Sequence, residues 1–206
     1  CGTNYFEVYN RDNVSLVDVK ANPISEITAT GVKTEDGNEY ELDVLIFATG
    51  FDAVDGNYTK LDITGRNGVT LRDKWKGGPG GYLGIMEADF PNMFMILGPF
   101  TNLPPSIETQ VEWISDTIKY ANDKGIASLD VKSETQEEWL ATCRMIADMT
   151  LFPKADSWIF GANIPGKKKS VMFYLGGLGN YTQALKDIVA SDYDGFVKET
   201  APVAAE

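Results

Sequence analysis

The chain has 206 residues and a formal net charge of −12 at pH 7, with 43% hydrophobic residues, 23% charged residues and no histidine. That length buries a core in one or two domains, while the acidic surplus excludes nucleic acid and anionic membrane surfaces as partners. Without histidine there is no His-based triad, His metal site or histidine general base in this sequence, and no metal is expected.

No apolar run is long enough to span a bilayer. Cys1 and Cys143 are too few for a disulfide framework, which points to a reducing, cytoplasmic setting. In chain order, Val14–Val19 and Ile24–Thr28 alternate apolar and polar residues and predict half-buried strands. Glu35-Asp36-Gly37-Asn38 is a turn of the Asp-Gly type, so Val32–Leu42 predicts a β-hairpin. Asp43 then leads into Val44-Leu45-Ile46-Phe47, an unbroken apolar run that suits a strand buried on both faces, followed by Ala48-Thr49-Gly50-Phe51. Ligands of α/β sheets bind at the carboxyl ends of strands, which places Ala48, Thr49 and Gly50 at a crevice. A domain boundary is expected near Phe51.

Residues 55–89 are rich in Gly, Asp and Asn and predict irregular loop with short strands, Trp75 serving as a packing residue. Met93–Leu97 predicts a second apolar strand, closed by Gly98-Pro99. Pro104-Pro105-Ser106 opens a helix to about Asn122, with Ile107, Val111, Ile114 and Ile118 as its buried stripe. Ser133-x-x-Gln136 predicts a capping box at the head of a helix carrying Trp139, Cys143 and Ile146 on one face, stopped by Pro153. Cys143 on that stripe reads as a packing residue. Ser157–Lys169 reads as loop, Val171–Leu175 as strand and Tyr181–Ala190 as a last helix, with a tail from Thr200 that frays.

Chemistry is most plausible at the start of the helix after the double proline. Free backbone N–H groups and the positive end of a helix dipole converge there and stabilise negative charge on a ligand. The alternative is an ordinary helix start in which Ser106 and Glu108 make only local hydrogen bonds. Neither glycine cluster, Gly77-Gly78-Pro79-Gly80-Gly81 or Gly176-Gly177-Leu178-Gly179, has the G-x-G-x-x-G spacing of a dinucleotide-binding turn. The sequence starts at Cys1 with no initiator methionine, and reads as a C-terminal fragment.

Phe47-Ala48-Thr49-Gly50-Phe51-Asp52-Ala53 resembles the Ala-Thr-Gly segment of two-dinucleotide flavoproteins. The likeness continues through Tyr9-Asn10-Arg11-Asp12-Asn13-Val14, Phe90-Pro91-Asn92-Met93-Phe94, Ser106-Ile107-Glu108, and Ser157-Trp158-Ile159-Phe160-Gly161-Ala162-Asn163-Ile164-Pro165-Gly166-Lys167. In order and spacing these segments resemble the C-terminal part of the Baeyer–Villiger monooxygenase family, and within it the cyclohexanone-oxidising group. The resemblance implies an α/β fold, part of a two-dinucleotide-binding-domain (Rossmann-like) flavoprotein, with β-hairpin and helical C-terminal segments. Residues 1–50 would close the NADPH-binding domain and residues 51–206 the FAD-binding domain, with a control loop at 157–169.

The same resemblance implies FAD and NADPH as cofactors, a cyclic ketone and O2 as substrates, and the N-terminal part of the same enzyme as partner. In that chemistry NADPH reduces the flavin, O2 adds to give a C4a-peroxyflavin, and attack on the ketone yields a lactone. Ala48, Thr49, Gly50, Pro105, Ser106, Ile107, Trp158 and Lys167 take cofactor-binding positions. Phe100, Thr101, Leu103 and Phe173 take positions lining the ketone pocket, with Thr101 the single hydroxyl on an apolar wall. Lys168 and Lys169 read as a solvated surface run. The family's catalytic arginine falls just before Cys1, so no catalytic residue lies in this chain; Arg11 reads as part of a structural turn. Gly98-Pro99-Phe100-Thr101 is shorter than the family's glycine–proline loop. Two alternatives stand beside this reading: a related flavin monooxygenase acting on nitrogen or sulfur, and a fragment not catalytic on its own.

Overall fold

A computed structural model describes residues 3–101, 105–155, 157–162, 164 and 166–200. Expectations at Leu103 and Pro104, and those for the tail beyond Thr200, lie outside the described residues. The chain divides into two compact units, residues 1–49 and 50–206.

The first unit begins with a short helix α1 (Tyr5–Val8), after which Arg11 lies exposed in successive turns. Its sheet has three antiparallel strands in chain order, β1 (Ile24–Ile27), β2 (Gly31–Thr34) and β3 (Glu39–Glu41). The hairpin turn forms as expected. The Asp36 carboxylate accepts from the Thr34 hydroxyl at 2.5 Å and from the Asn38 N–H at 3.1 Å, which holds its pKa below the ordinary carboxylate value. Val14–Val19 forms no strand, and Val19 already lies in a turn. Val44–Phe47 also forms none: Val44, Ile46 and Phe47 are 73%, 79% and 70% exposed. A doubly buried strand exists only where neighbours cover it, and no described strand pairs with this run.

In the second unit, residues 55–89 form short helical turns in place of the expected short strands, including α2 (Leu71–Lys74), capped by Thr70. Leu71, Trp75, Phe90 and Met95 make a small core of their own. The main core lies among three helices and a two-stranded antiparallel sheet. These are α3 (Ser106–Asp123), β4 (Ile126–Val131), α4 (Ser133–Asp148), α5 (Leu178–Ala190) and β5 (Phe196–Thr200), with β4 paired to β5. Trp113, Leu129, Cys143, Tyr181, Leu185, Tyr193 and Phe196 are buried together there. Burial drives the Cys143 thiol pKa up to about 12, as befits a packing residue.

Three local expectations change. The buried stripe of α3 is Ser106, Gln110, Trp113 and Thr117, while Val111 and Ile118 are each 45% exposed. Polar residues can turn inward because other elements supply their hydrogen bonds. Helix α4 is capped at Lys132 with no side-chain bond, so Ser133 and Gln136 form no capping box. Gln136 instead accepts from the Ala88 N–H at 2.7 Å and donates to Glu87 at 3.0 Å. Met93–Leu97 and Val171–Leu175 are not strands. Their backbone bonds go singly to other loops, as in Met95 N–H to the Ile85 carbonyl at 2.7 Å. Helix α4 ends at Asp148, ahead of Pro153.

Candidate functional site

The loop before α3 and the first turn of that helix are held by one buried polar cluster. Gln110, fully buried, accepts from the Leu97 N–H at 2.9 Å and donates to the Thr101 hydroxyl at 2.6 Å and the Tyr181 hydroxyl at 2.8 Å. Tyr181 donates onward to the Leu83 carbonyl at 2.6 Å, and burial raises its pKa against the opposing hydrogen bonds from Thr101 and Gln110. Ser106 and Thr101 share a hydroxyl contact at 3.3 Å. The Thr101 hydroxyl is therefore turned into this frame and away from any pocket. The helix start singled out from the sequence reaches as far as Gln110, but the inward role of Gln110 and the part of Tyr181 were missed; the inward spacing of Ser106, Gln110, Trp113 and Thr117 was the available signal for the first.

The frame is extended by backbone. Thr101 pairs with Phe173 in an isolated parallel bridge, the Tyr174 N–H reaches the Thr101 carbonyl at 2.8 Å, and the Phe100 N–H reaches the Met172 carbonyl at 2.8 Å. Gly84 backs onto Thr101 so closely that a Cβ there would lie 2.3 Å from the Thr101 Cβ, with the backbone already at φ +67°. Only glycine fits.

The bridge delivers Phe173 to a cavity of about 360 Å³ lined by Ala53, Val54, Tyr58, Ile96, Leu97 and Trp158 among others. The Trp158 ring stands edge-on to Phe173, centroids 5.7 Å apart, a favourable aromatic geometry. Trp158 is half-exposed in a single 3-10 turn capped by Ser157. Thus Phe173 and Trp158 meet at this cavity, while Thr101 adjoins it only through its backbone bridge to Phe173. Phe100 does not join them. Its side chain is buried on another side, against a polar cavity of about 540 Å³ that includes Gly77, Arg144, Lys168 and Ser170.

Helix α3 starts at Ser106 with Pro105 in the cap position and no side-chain cap on its first turn; Pro105 is exposed and Ile107 half-buried. Those amides are the donor set that suits an anionic ring edge. Lys167 reaches a different destination. Its ammonium lies 2.6 Å from Asp52 and 2.5 Å from Asp55. Burial works against its charge, but the two carboxylate hydrogen bonds outweigh this and its pKa is raised. Lys168 and Lys169 are exposed. Ala48 and Thr49 are exposed residues of the first unit outside any helix or strand, and Gly50 opens the second with φ +85°. No group of acidic or cysteine side chains suited to a metal ion occurs among the described residues, and no described helix is long and apolar enough to cross a membrane.

No family model matches the chain. A Baeyer–Villiger monooxygenase of Pseudooceanicola batsensis is 63% identical over 202 residues, which is 97% of this chain and 37% of the relative. A phenazine N-monooxygenase of Lysobacter antibioticus is 51% identical over 205 residues, 98% of this chain and 38% of the relative. The crystal structure of cyclohexanone monooxygenase from Rhodococcus sp. Phi1 bound to NADP+ matches with a TM-score of 0.89 at 60% identity, over 98% of this chain and 38% of that one. The chain thus spans little more than a third of the length of the curated relatives it matches.

Proposed function

On the premise that this chain is similar in sequence and in its mixed α/β fold to Baeyer–Villiger monooxygenases, two-dinucleotide-domain flavoproteins, we propose that it forms part of an FAD- and NADPH-dependent cytoplasmic enzyme that converts cyclic ketones to lactones with O2. Residues 1–50 complete the NADPH-binding domain and residues 51–206 the FAD-binding domain, with Ala48, Thr49 and Gly50 at the crossing. The observation that carries the reading is the Thr101–Phe173 bridge, with Trp158 packed edge-on against Phe173. It sets an apolar cavity close to the frame that holds the start of α3.

When bound, the flavin supplies the redox chemistry, fed by the nicotinamide. The chain's share is positional. Pro105, Ser106 and Ile107, at the start of α3, would hold the electron-rich edge of the ring at the positive end of the helix dipole. The cluster of Gln110, Thr101 and Tyr181 fixes that turn, so it needs no reorganisation during reaction. Phe173 and the cavity around it bury the CH2 groups of a ketone, each worth about 0.8 kcal/mol, and exclude water. The Trp158 indole N–H, carried on the turn capped by Ser157, would donate to a ribose hydroxyl of the nicotinamide cofactor.

The test is ketone-dependent NADPH oxidation by the complete flavoprotein, with the product identified by gas chromatography. A lactone is expected from cyclohexanone. Oxidation confined to nitrogen or sulfur compounds overturns the ketone assignment.

A further inference from the structure

Lys167 is the cation that the cavity geometry leaves without a cofactor role. Its side chain is only 15% exposed, and its ammonium is clamped between Asp52 and Asp55. The stem lies along Gly161, where an added Cβ would come within 3.2 Å of the lysine Cδ and Cε, so the loop is shaped around the lysine. Its two acceptors bracket Ala53 and Val54, which line the cavity together with Asn57 and Tyr58 just beyond Asp55. The same cavity is lined by Trp158, nine residues before Lys167 in the same loop.

The wall between the two aspartates is strained. Val54, β-branched, sits at φ +70°, a conformation such residues rarely adopt. Strain of this kind persists only where the surroundings impose it. Here the anchors stand on both sides of Val54. Asp52 and Asp55 hold Lys167, the Asp55 carbonyl accepts from the Thr59 N–H and hydroxyl at 3.0 and 3.1 Å, and Gly56 folds back onto the Asp52 carbonyl.

We infer that Lys167 is a positioning residue, whose double ion pair with Asp52 and Asp55 pins the Ala53–Tyr58 wall to the Trp158 loop and so sets the width of the ketone cavity. This rests on the function proposed above. It departs from a direct contact between Lys167 and the nicotinamide cofactor, and the two roles give opposite results when the aspartates are neutralised. A latch fails whichever partner loses its charge. A cofactor contact fails only when the lysine does.

The experiment compares Lys167→Met, the isosteric Asp55→Asn and the double variant Asp52→Asn/Asp55→Asn in the complete flavoprotein. Losing a partly buried ion pair is expected to raise KM for cyclohexanone roughly tenfold in all three, with KM for NADPH within about twofold of wild type. Trypsin cleavage after Lys168, followed by mass spectrometry, should speed up in the two aspartate variants, a readout that needs no turnover. If Lys167→Met weakens NADPH while the aspartate variants keep or tighten it, the lysine contacts the cofactor and the latch is wrong. Wild-type ketone KM and cleavage rates in the aspartate variants also overturn it. A wild-type protein that makes no lactone, yet is cleaved faster once the aspartates are neutralised, keeps the latch and removes only the ketone assignment.

Discussion

Gln110 and Tyr181 lie 71 residues apart in sequence and meet at 2.8 Å in the interior, amide to hydroxyl. The pair ties α5 to the first turns of α3, and through Thr101 and Leu97 it ties both to the loop before α3. Tyr181→Phe keeps the ring packing and removes the hydroxyl that serves the Leu83 carbonyl. Leaving a buried polar group poorly paired costs about 1–3 kcal/mol. Urea denaturation should show that loss, and full stability in the variant would mean the hydroxyl does not organise this frame.

Gly84 and Gly125 share φ +67°, but only Gly84 is crowded, with Thr101 and the Gly98 carbonyl within 3 Å of a built Cβ; Gly125 has nothing within 4 Å. Alanine at either position bears the left-handed backbone cost of roughly 1 kcal/mol. At Gly84 it also forces Thr101 away, adding about 1–3 kcal/mol of overpacking. The difference in melting temperature between Gly84→Ala and Gly125→Ala isolates the steric part. Equal losses would show that the loop yields without resistance.

How much of this was readable in the sequence depends on the range of the forces. The hairpin at Asp36-Gly37 was, because its turn hydrogen bonds span at most four residues. The existence of α3 was readable too, but not its buried face, since Gln110 turns inward for partners on Leu97 and Tyr181. Strands β4 and β5 escaped notice because each is half of a ladder whose other half lies about seventy residues away. The pairing of Thr101 with Phe173 is equally non-local. Lys167 was read as a cofactor-binding cation of the loop at 157–169; its aspartates, more than a hundred residues earlier, were not seen.

Glu87 is fully buried, accepting from the Trp75 indole at 3.0 Å and Gln136 at 3.0 Å, with Lys74 at 3.5 Å. Burial raises its pKa above 4.5, and the hydrogen bonds and Lys74 offset this only in part. The folded state therefore binds the proton more readily than the unfolded chain, so this group's contribution to stability falls as pH rises from 4.5 through the raised value. Glu87→Gln removes that titration and sets an amide donor against two donors, at a cost of about 1–3 kcal/mol near neutral pH. The stability gap between wild type and variant should widen as pH is lowered through the raised pKa. A gap independent of pH would mean the carboxyl titrates at its ordinary value.

The run Val44–Phe47 reads in sequence as a strand buried on both faces, yet it lies exposed and outside any described strand. An exposed apolar segment with unpaired backbone groups is a template for strand addition. The 206-residue chain produced alone should self-associate in size-exclusion chromatography with light scattering, and bind no stoichiometric FAD. Ile46→Lys should shift it toward monomer, because a charge on the open run opposes pairing. In the complete flavoprotein the same substitution should do the reverse. If the run there is a covered strand, a buried unpaired ammonium costs several kcal/mol, and the variant should lose soluble expression and flavin. Opposite responses in the two contexts require that the run be covered by residues other than these. A complete protein that carries Ile46→Lys with its flavin retained would show instead that the segment is exposed in the assembled enzyme, and that its composition alone misled.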